Sequence, residues 1–279
     1  MDPIPLEGAA VAITGAARGI GLKTAEEFLR RGARIAIGDI DAAAAARAAA
    51  GLGDEAHGFT VDVSDRDSFA SFLASAEAAV GPLDVLVNNA GVMPTGRFLD
   101  EPDAVTATTI GVNLWGPVWG MKLAIPGMLE RGRGHVVNVA SLMGKFYLPG
   151  IATYSGAKHG VVGVSAAVRD ELHGTGVTIT TVLPSAVETE LITGIKLPTA
   201  LPRVKPEDVA RAVADSCRKR QPEVSVPGWL GHATPVADLA PSRVVGLVRR
   251  LAKHDRALDA DAAERAAYEA RARKPGNDD

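Results

Sequence analysis

Apolar runs that do not alternate constrain this chain more than any other feature. Ala9–Thr14 (AAVAIT), Ala33–Asp39 (ARIAIGD), Leu83–Asn88, His135–Ala140 and Val177–Leu183 are each short and almost continuously apolar. A strand with one wet face reads as alternation, whereas a strand covered on both faces reads as an unbroken run. Between the runs lie stretches with helical signals: residues 22–31, 41–52, 64–80, 103–131 and 154–175. Gly32 closes the first of these and Ser64 caps the third. Phe59–Val63 is read as a further strand, and Val224–Val226 as a last one at the edge. Strands alternating with helices of this length specify an α/β fold: a doubly wound, Rossmann-like parallel sheet of about seven strands with helices on both faces.

The 279 residues show no internal repeat and no linker dividing them into two bodies. The reading is one catalytic domain over residues 1–234, with a long loop at about 185–206 that suits substrate binding. A helical C-terminal extension follows over 235–279, its last six residues disordered. Within that extension, 242–255 carries an apolar stripe opposite Arg249, Arg250, Lys253 and His254. Such a stripe suits docking on a second subunit, contact with a membrane surface, or packing on its own domain. Residues 257–273 are charged and alanine-rich, which suits a helix.

A formal net charge of −3 gives no basic surplus for nucleic acid. The single cysteine, Cys217, precludes an internal disulfide, and no His/Cys/Asp cluster has metal-ligand spacing, so no metal is expected. No secretory leader and no run of 18 uncharged apolar residues is read in the sequence, which points to the cytoplasm.

Two local patterns carry chemistry. Thr14-Gly15-Ala16-Ala17-Arg18-Gly19-Ile20-Gly21 joins the first strand to the first helix. Glycines there allow a tight turn and close approach to a pyrophosphate, which the helix N-terminus attracts. Asp39 ends the second strand, where a carboxylate accepts hydrogen bonds from ribose hydroxyls and repels a 2′-phosphate. The expected cofactor is therefore NAD rather than NADP, although Arg18 could reach a 2′-phosphate. The second pattern is Tyr154-Ser155-Gly156-Ala157-Lys158, thirteen residues after Ser141. Residues four apart share a helix face, so a phenol lies beside an ammonium. The expectation is that the cation lowers the phenol's pKa from its usual value of about 10 and fits it for proton exchange with an alcohol. His159 is one position out of phase, and with His135 it is read as structural.

In this order and spacing the sequence resembles the short-chain dehydrogenase/reductase family over about residues 7–230. The resemblance rests on TGAARGIG (14–21), Asp39, Asp62-Val63, NNAG (88–91), Asn113, Ser141, YSGAK (154–158) and PSAVETEL (184–191). It implies a catalytic tetrad of Asn113, Ser141, Tyr154 and Lys158. Asn113 would hold a structural water, Ser141 would bond the substrate oxygen, Tyr154 would be the acid/base, and Lys158 would also bind the nicotinamide ribose. For the cofactor it implies Gly15, Arg18, Gly19, Ile20 and Gly21 at the turn, with Asp62 and Val63 at the adenine. Asn89, Ala90 and Gly91 would line the cofactor's path, and Pro184, Val187 and Thr189 would flank the nicotinamide. Ser185 stands where the family commonly has glycine.

The expected activity is hydride transfer between NAD(H) and a small-molecule secondary alcohol or ketone. The segments that follow strand ends, 93–99, 142–150 and 187–201, are mostly apolar, which favours a hydrophobic substrate. The alternatives are an NADP-dependent ketoreductase and a non-catalytic dinucleotide sensor. A sensor would be expected to have lost part of the tetrad, and here all four positions are filled. The resemblance also implies a homo-oligomer, a tetramer or a dimer. Trp115 and Trp119 on the 103–131 helix suit either core packing or a subunit contact.

Overall fold

A computed structural model describes residues 2–195 and 201–231, together with Glu264, Arg265 and Tyr268. The 242–255 stripe, most of the 257–273 segment and the final six residues lie outside the described residues.

Seven parallel strands form one sheet in the order β3-β2-β1-β4-β5-β6-β9. They are β1 (Ala10–Thr14), β2 (Arg34–Asp39), β3 (Ala56–Thr60), β4 (Val85–Asn88), β5 (Gly134–Val139), β6 (Val177–Pro184) and β9 (Glu223–Val226). Every residue of β1, β4, β5 and β6 is buried, as the continuous apolar runs require. The strand order reverses between β1, which pairs with β2, and β4, which pairs with β1 and β5. Open α/β sheets bind ligands beyond the strand C-termini at such a reversal.

The helices are α1 (Gly19–Arg30), α2 (Ala42–Leu52), α3 (Arg66–Val80), α4 (Asp103–Ile110), α5 (Gly116–Glu130), α6 (Ala152–Glu171) and α7 (Pro206–Lys219). α1 buries Gly21, Thr24, Ala25 and Phe28, the spacing of one helical face, and packs against α7. Removing a phenylalanine side chain such as Phe28 from water is worth ~1.5–3 kcal/mol, so this stripe fixes α1 on the sheet. Carboxylates cap two helices: Asp41 accepts from the Ala44 amide, and Asp65, rather than the expected Ser64, from those of Asp67 and Ser68.

Four boundaries depart from the sequence reading. The third strand is Ala56–Thr60 rather than 59–63, because Gly58 lies against the backbone of Ala45 and Ala46 in α2, a fit that periodicity does not report. Asp62 and Val63 therefore follow the strand. The helix expected over 103–131 is interrupted by a π-helical segment at Gly111–Trp115. α7 has no counterpart among the expected elements, although its buried Val209, Ala210, Val213, Ala214 and Cys217 follow helical spacing behind Pro206. The long loop also holds a small parallel pair, β7 (Ala186–Val187) with β8 (Arg203–Val204). Among the described residues no helix is long and apolar enough to cross a membrane.

Candidate active site

A cleft of about 740 Å³ opens at the C-terminal ends of β1, β2, β4, β5 and β6. Its floor begins at the glycine turn. Gly15 has φ +62°, and a Cβ there would sit 2.7 Å from the Ala90 Cα. Only glycine allows this approach of β1 to the segment after β4. Gly19, at φ +56°, opens α1, whose first turn has no side-chain cap; Gly19 and Ile20 line the cleft. Free N–H groups of that turn suit an anion such as a pyrophosphate. Gly21 is not in the lining. It lies behind, where a Cβ would strike the Gly15 carbonyl and the Asn89 amide.

Asn89 fastens this corner, its Nδ2 donating to the carbonyls of Thr14 and Gly15, both at 2.9 Å. The Thr14 hydroxyl accepts from the amides of Asn89 and Ala90. Asn89, Ala90 and Gly91 all line the cleft. At the end of β2, Asp39 is buried, its two oxygens accepting from the amides of Ala17 and Asp41, each at 3.2 Å. Arg18 turns to Asp41 at 3.4 Å and to Glu190 at 3.9 Å. Asp62 accepts from the amide and hydroxyl of Ser64, and with Val63 forms the wall beside Asp39.

Across the cleft, β5 leads to Ser141 and α6 carries Tyr154 and Lys158. Ser141 accepts from the Met143 amide at 3.1 Å and hydrogen-bonds the Tyr154 phenol. Lys158 is buried, donates to the Val139 carbonyl at 3.0 Å, and sits 5.7 Å from the centroid of the Tyr154 ring. Asn113, fully buried in the π-helical segment, donates to the Val92 carbonyl at 2.8 Å and the Thr109 carbonyl at 2.9 Å. Its Oδ1 accepts from the Val92 amide at 3.3 Å. All four lie in the lining, as do Pro184, Val187 and Thr189. The structure thus gathers the sequence-predicted residues around one cavity, with Gly21 just behind it.

The electrostatics depart from expectation. Burial pushes the Tyr154 phenol up to about 12; the Ser141 hydrogen bond opposes this, and Tyr268 adds to it. Burial also pushes the Lys158 ammonium down to about 8. Desolvation disfavours the charged form of each partner, and in this cleft it outweighs the attraction expected from the four-residue spacing. Asn113 donates both hydrogens of its side-chain amide to protein carbonyls. His159 bonds the Ser155 carbonyl and is not in the lining, and His135 is buried between Thr178 and Ser216.

A dinucleotide fits this donor set. The Ser185 hydroxyl is buried in the cleft wall with no hydrogen-bond partner among the described residues. A hydroxyl stranded in this way suits a polar ligand atom. Its own amide bonds the Val226 carbonyl at 2.8 Å, so serine takes the family's glycine position without disturbing the strand end.

The pattern of the short chain dehydrogenase family matches residues 9–198. The chain belongs to the short-chain dehydrogenase family. This dehydrogenase is 33% identical over 250 residues to estradiol 17-beta-dehydrogenase 11 of Macaca fascicularis, covering 87% of this chain and 83% of that protein. A 3-ketoacyl-(acyl-carrier-protein) reductase from Brucella melitensis, solved with NADH, aligns with a TM-score of 0.73 at 30% identity. That match spans 79% of this chain and 98% of the other. A short-chain dehydrogenase/reductase from Burkholderia phymatum, solved with NAD, shares the fold with a TM-score of 0.76 at 24% identity, over 84% of this chain and 94% of that one.

The substrate side of the dehydrogenase's cleft is apolar. Met93, Leu142, Met143, Leu148, Ile192 and Ile195 surround Tyr154, whereas Tyr147 is 55% exposed and outside the lining. Lys145, in the same segment, pairs with Glu223 at 3.0 Å. Sequence reasoning missed Tyr268, which lines the cleft from far along the chain. Neither periodicity nor a motif marks that position. Trp115 and Trp119 stack at 5.1 Å with Trp115 47% exposed, away from the lining.

Proposed function

We propose that this NAD(P)-dependent oxidoreductase interconverts apolar secondary alcohols and ketones, prefers NAD, and uses Tyr154 as its acid/base. The observation that carries the reading is Ser141, Tyr154, Lys158 and Asn113 converging on one apolar cleft that also contains the glycine turn. The cofactor, when bound, takes or supplies the hydride. Gly15, Gly19 and Ile20 would hold its phosphates, Asp39 and Asp62 its adenosine half, and Lys158, Val187, Thr189 and Ser185 its nicotinamide half.

The protein's own part is protonic. In oxidation the Tyr154 oxygen takes the alcohol's proton, and in reduction it returns one to the carbonyl oxygen. Ser141 donates a hydrogen bond to that same oxygen, which stabilises charge as it develops. Lys158 stands close enough to offset phenolate charge, and Asn113 fixes the backbone beneath the substrate. The apolar wall excludes water and strengthens these interactions.

The cofactor preference rests on charge. Asp39, with Asp41 two residues on, makes this end of the cleft acidic, and Arg18 is drawn to Asp41 and Glu190. A 2′-phosphate would bring more negative charge to that end. The exposed Trp115, at the end of the π-helical segment, supports the further reading of a homo-oligomer, which light scattering on the purified chain tests.

The deciding experiment follows NADH formation on a panel of hydrophobic secondary alcohols, comparing wild type with Tyr154→Phe and NAD with NADP. The variant is expected to lose ~10²–10⁴-fold in kcat while still binding NADH. Equal turnover by both proteins overturns the acid/base assignment, and better turnover with NADP overturns the cofactor preference.

A further inference from the structure

Two residues far along the chain pack at the substrate side of the cleft, Tyr268 in its lining and Arg265 behind it. Arg265 is 1% exposed. Its guanidinium donates to the Met93 carbonyl at 2.6 Å, the Thr193 carbonyl at 3.0 Å and the Leu191 carbonyl at 3.3 Å. It also lies over the Tyr268 ring, 5.0 Å from the centroid. The Tyr268 hydroxyl in turn accepts from the Met93 amide at 2.7 Å, and the residue lines the cleft.

These contacts converge on one short stretch of backbone. Asn113 engages both the amide and the carbonyl of Val92. Arg265 and Tyr268 engage both those of the next residue, Met93. Met93 begins one substrate-facing segment, while Leu191 and Thr193 belong to another. A guanidinium is costly to bury unless its donors are met, so a buried arginine spanning two loops marks a fixed contact rather than a surface brush. The phenol it stacks on lines the same cavity as Tyr154.

We propose, on the basis of the alcohol–ketone reading above, that Tyr268 forms the substrate-side wall and sets the size of alcohol accepted, with Arg265 as the positioning residue that clasps this wall to both loops. Tyr268 would meet the substrate's apolar body, opposite the reacting oxygen at Tyr154. Arg265 would act only through Met93, Leu191, Thr193 and the ring it supports.

The test uses the full chain with 2-butanol, 2-hexanol, 2-octanol and 2-decanol as probes. Tyr268→Ala is expected to move the kcat/KM ratio of 2-octanol to 2-butanol by at least about tenfold toward the larger alcohol, since a closed pocket discriminates by about tenfold or more for even one methylene. NADH affinity stays within about twofold, because the change lies outside the dinucleotide half of the cleft. Arg265→Met raises KM across the series and leaves kcat within about threefold, with partial rescue in Arg265→Lys. Independently of turnover, hydrogen exchange at the Met93 amide accelerates in Tyr268→Phe, which keeps the ring and loses the acceptor, while exchange in β5 does not change.

An active wild type with the same size profile in Tyr268→Ala overturns the wall. If wild type oxidises none of the alcohols with either cofactor, the activity reading fails instead. The exchange measurement then decides the clasp alone: unchanged Met93 exchange in Arg265→Met overturns it, and faster exchange supports it.

Discussion

Replacing Asn113 with alanine tests whether the π-helical segment exists to aim one amide. Asn113 makes two well-formed hydrogen bonds, to the carbonyls of Val92 at 2.8 Å and Thr109 at 2.9 Å, and one longer contact from the Val92 amide at 3.3 Å. A hydrogen bond contributes about 1 kcal/mol net, but a buried group left without its partner costs ~1–3 kcal/mol. The two short bonds weigh most, and the 3.3 Å contact adds little. The sum is roughly 2–4 kcal/mol of lost stability, and at about 2–4 °C per kcal/mol for a domain of this size the midpoint falls by about 4–16 °C.

Asn113→Asp sharpens the test. The shape is kept, but an ionised carboxylate would face two carbonyl oxygens with no proton to offer. That variant is expected to be less stable than Asn113→Ala above pH 7 and to recover as the carboxyl protonates at lower pH. Thermal unfolding at pH 5 and pH 8, alongside NADH binding and kcat, measures all of this. A midpoint for Asn113→Ala within about 2 °C of wild type would refute the reasoning, since about 0.5–1 kcal/mol cannot hold three buried contacts.

Three further predictions follow from named groups. Gly15→Ala places a Cβ 2.7 Å from the Ala90 Cα at φ +62°; strain of ~1–2 kcal/mol from the backbone and ~1–3 kcal/mol from crowding should weaken NADH binding at least tenfold, read by fluorescence titration. Burial holds the Tyr154 phenol up near 12, so it must shed a proton before it can act as a base. Alcohol oxidation should therefore quicken from pH 7 to 9 while ketone reduction, which uses the protonated phenol, stays level; flat oxidation across that window would contradict the assignment. Burial, then the nearby Arg220 charge, lower the His135 imidazole to about 3 from 6.5. The unfolded chain binds that proton first, so this contribution is full above pH 6.5 and is lost as pH falls toward 3. The loss amounts to about 2 kcal/mol by pH 5, and chemical unfolding of His135→Gln against wild type at pH 7.5 and 5 measures it.

The sheet was legible because its strands are buried on both faces: Val11–Ile13 and Val85–Val87 contain no polar position to confuse the pattern. The tetrad and the glycine turn were legible because each needs fixed residue types at fixed spacing. The phenol's charge state was not legible, because helical spacing puts Tyr154 beside Lys158 but says nothing of the burial both suffer. The break at Gly111–Trp115 was hidden because the residues on either side continue to look helical. Tyr268 and Arg265 were beyond reach for a different reason. Their partners are backbone atoms of Met93, Leu191 and Thr193, and any sequence supplies those.

The π-helical segment has a consequence for length variation. Upstream of it, α4 packs on α6; downstream, α5 packs on α3 and on β4 and β5. A π-helical turn holds one residue more than the α-helical turn it replaces, so deleting one residue from Gly111–Trp115 would regularise the helix and leave its two halves nearly where they are. The docking of both halves would survive, but the widened turn that carries Asn113 would be gone, and with it the line to Val92. A single-residue deletion in this stretch should therefore tell on the site more than on the packing, whereas a deletion inside α4 or α5 would turn one docked half against the other.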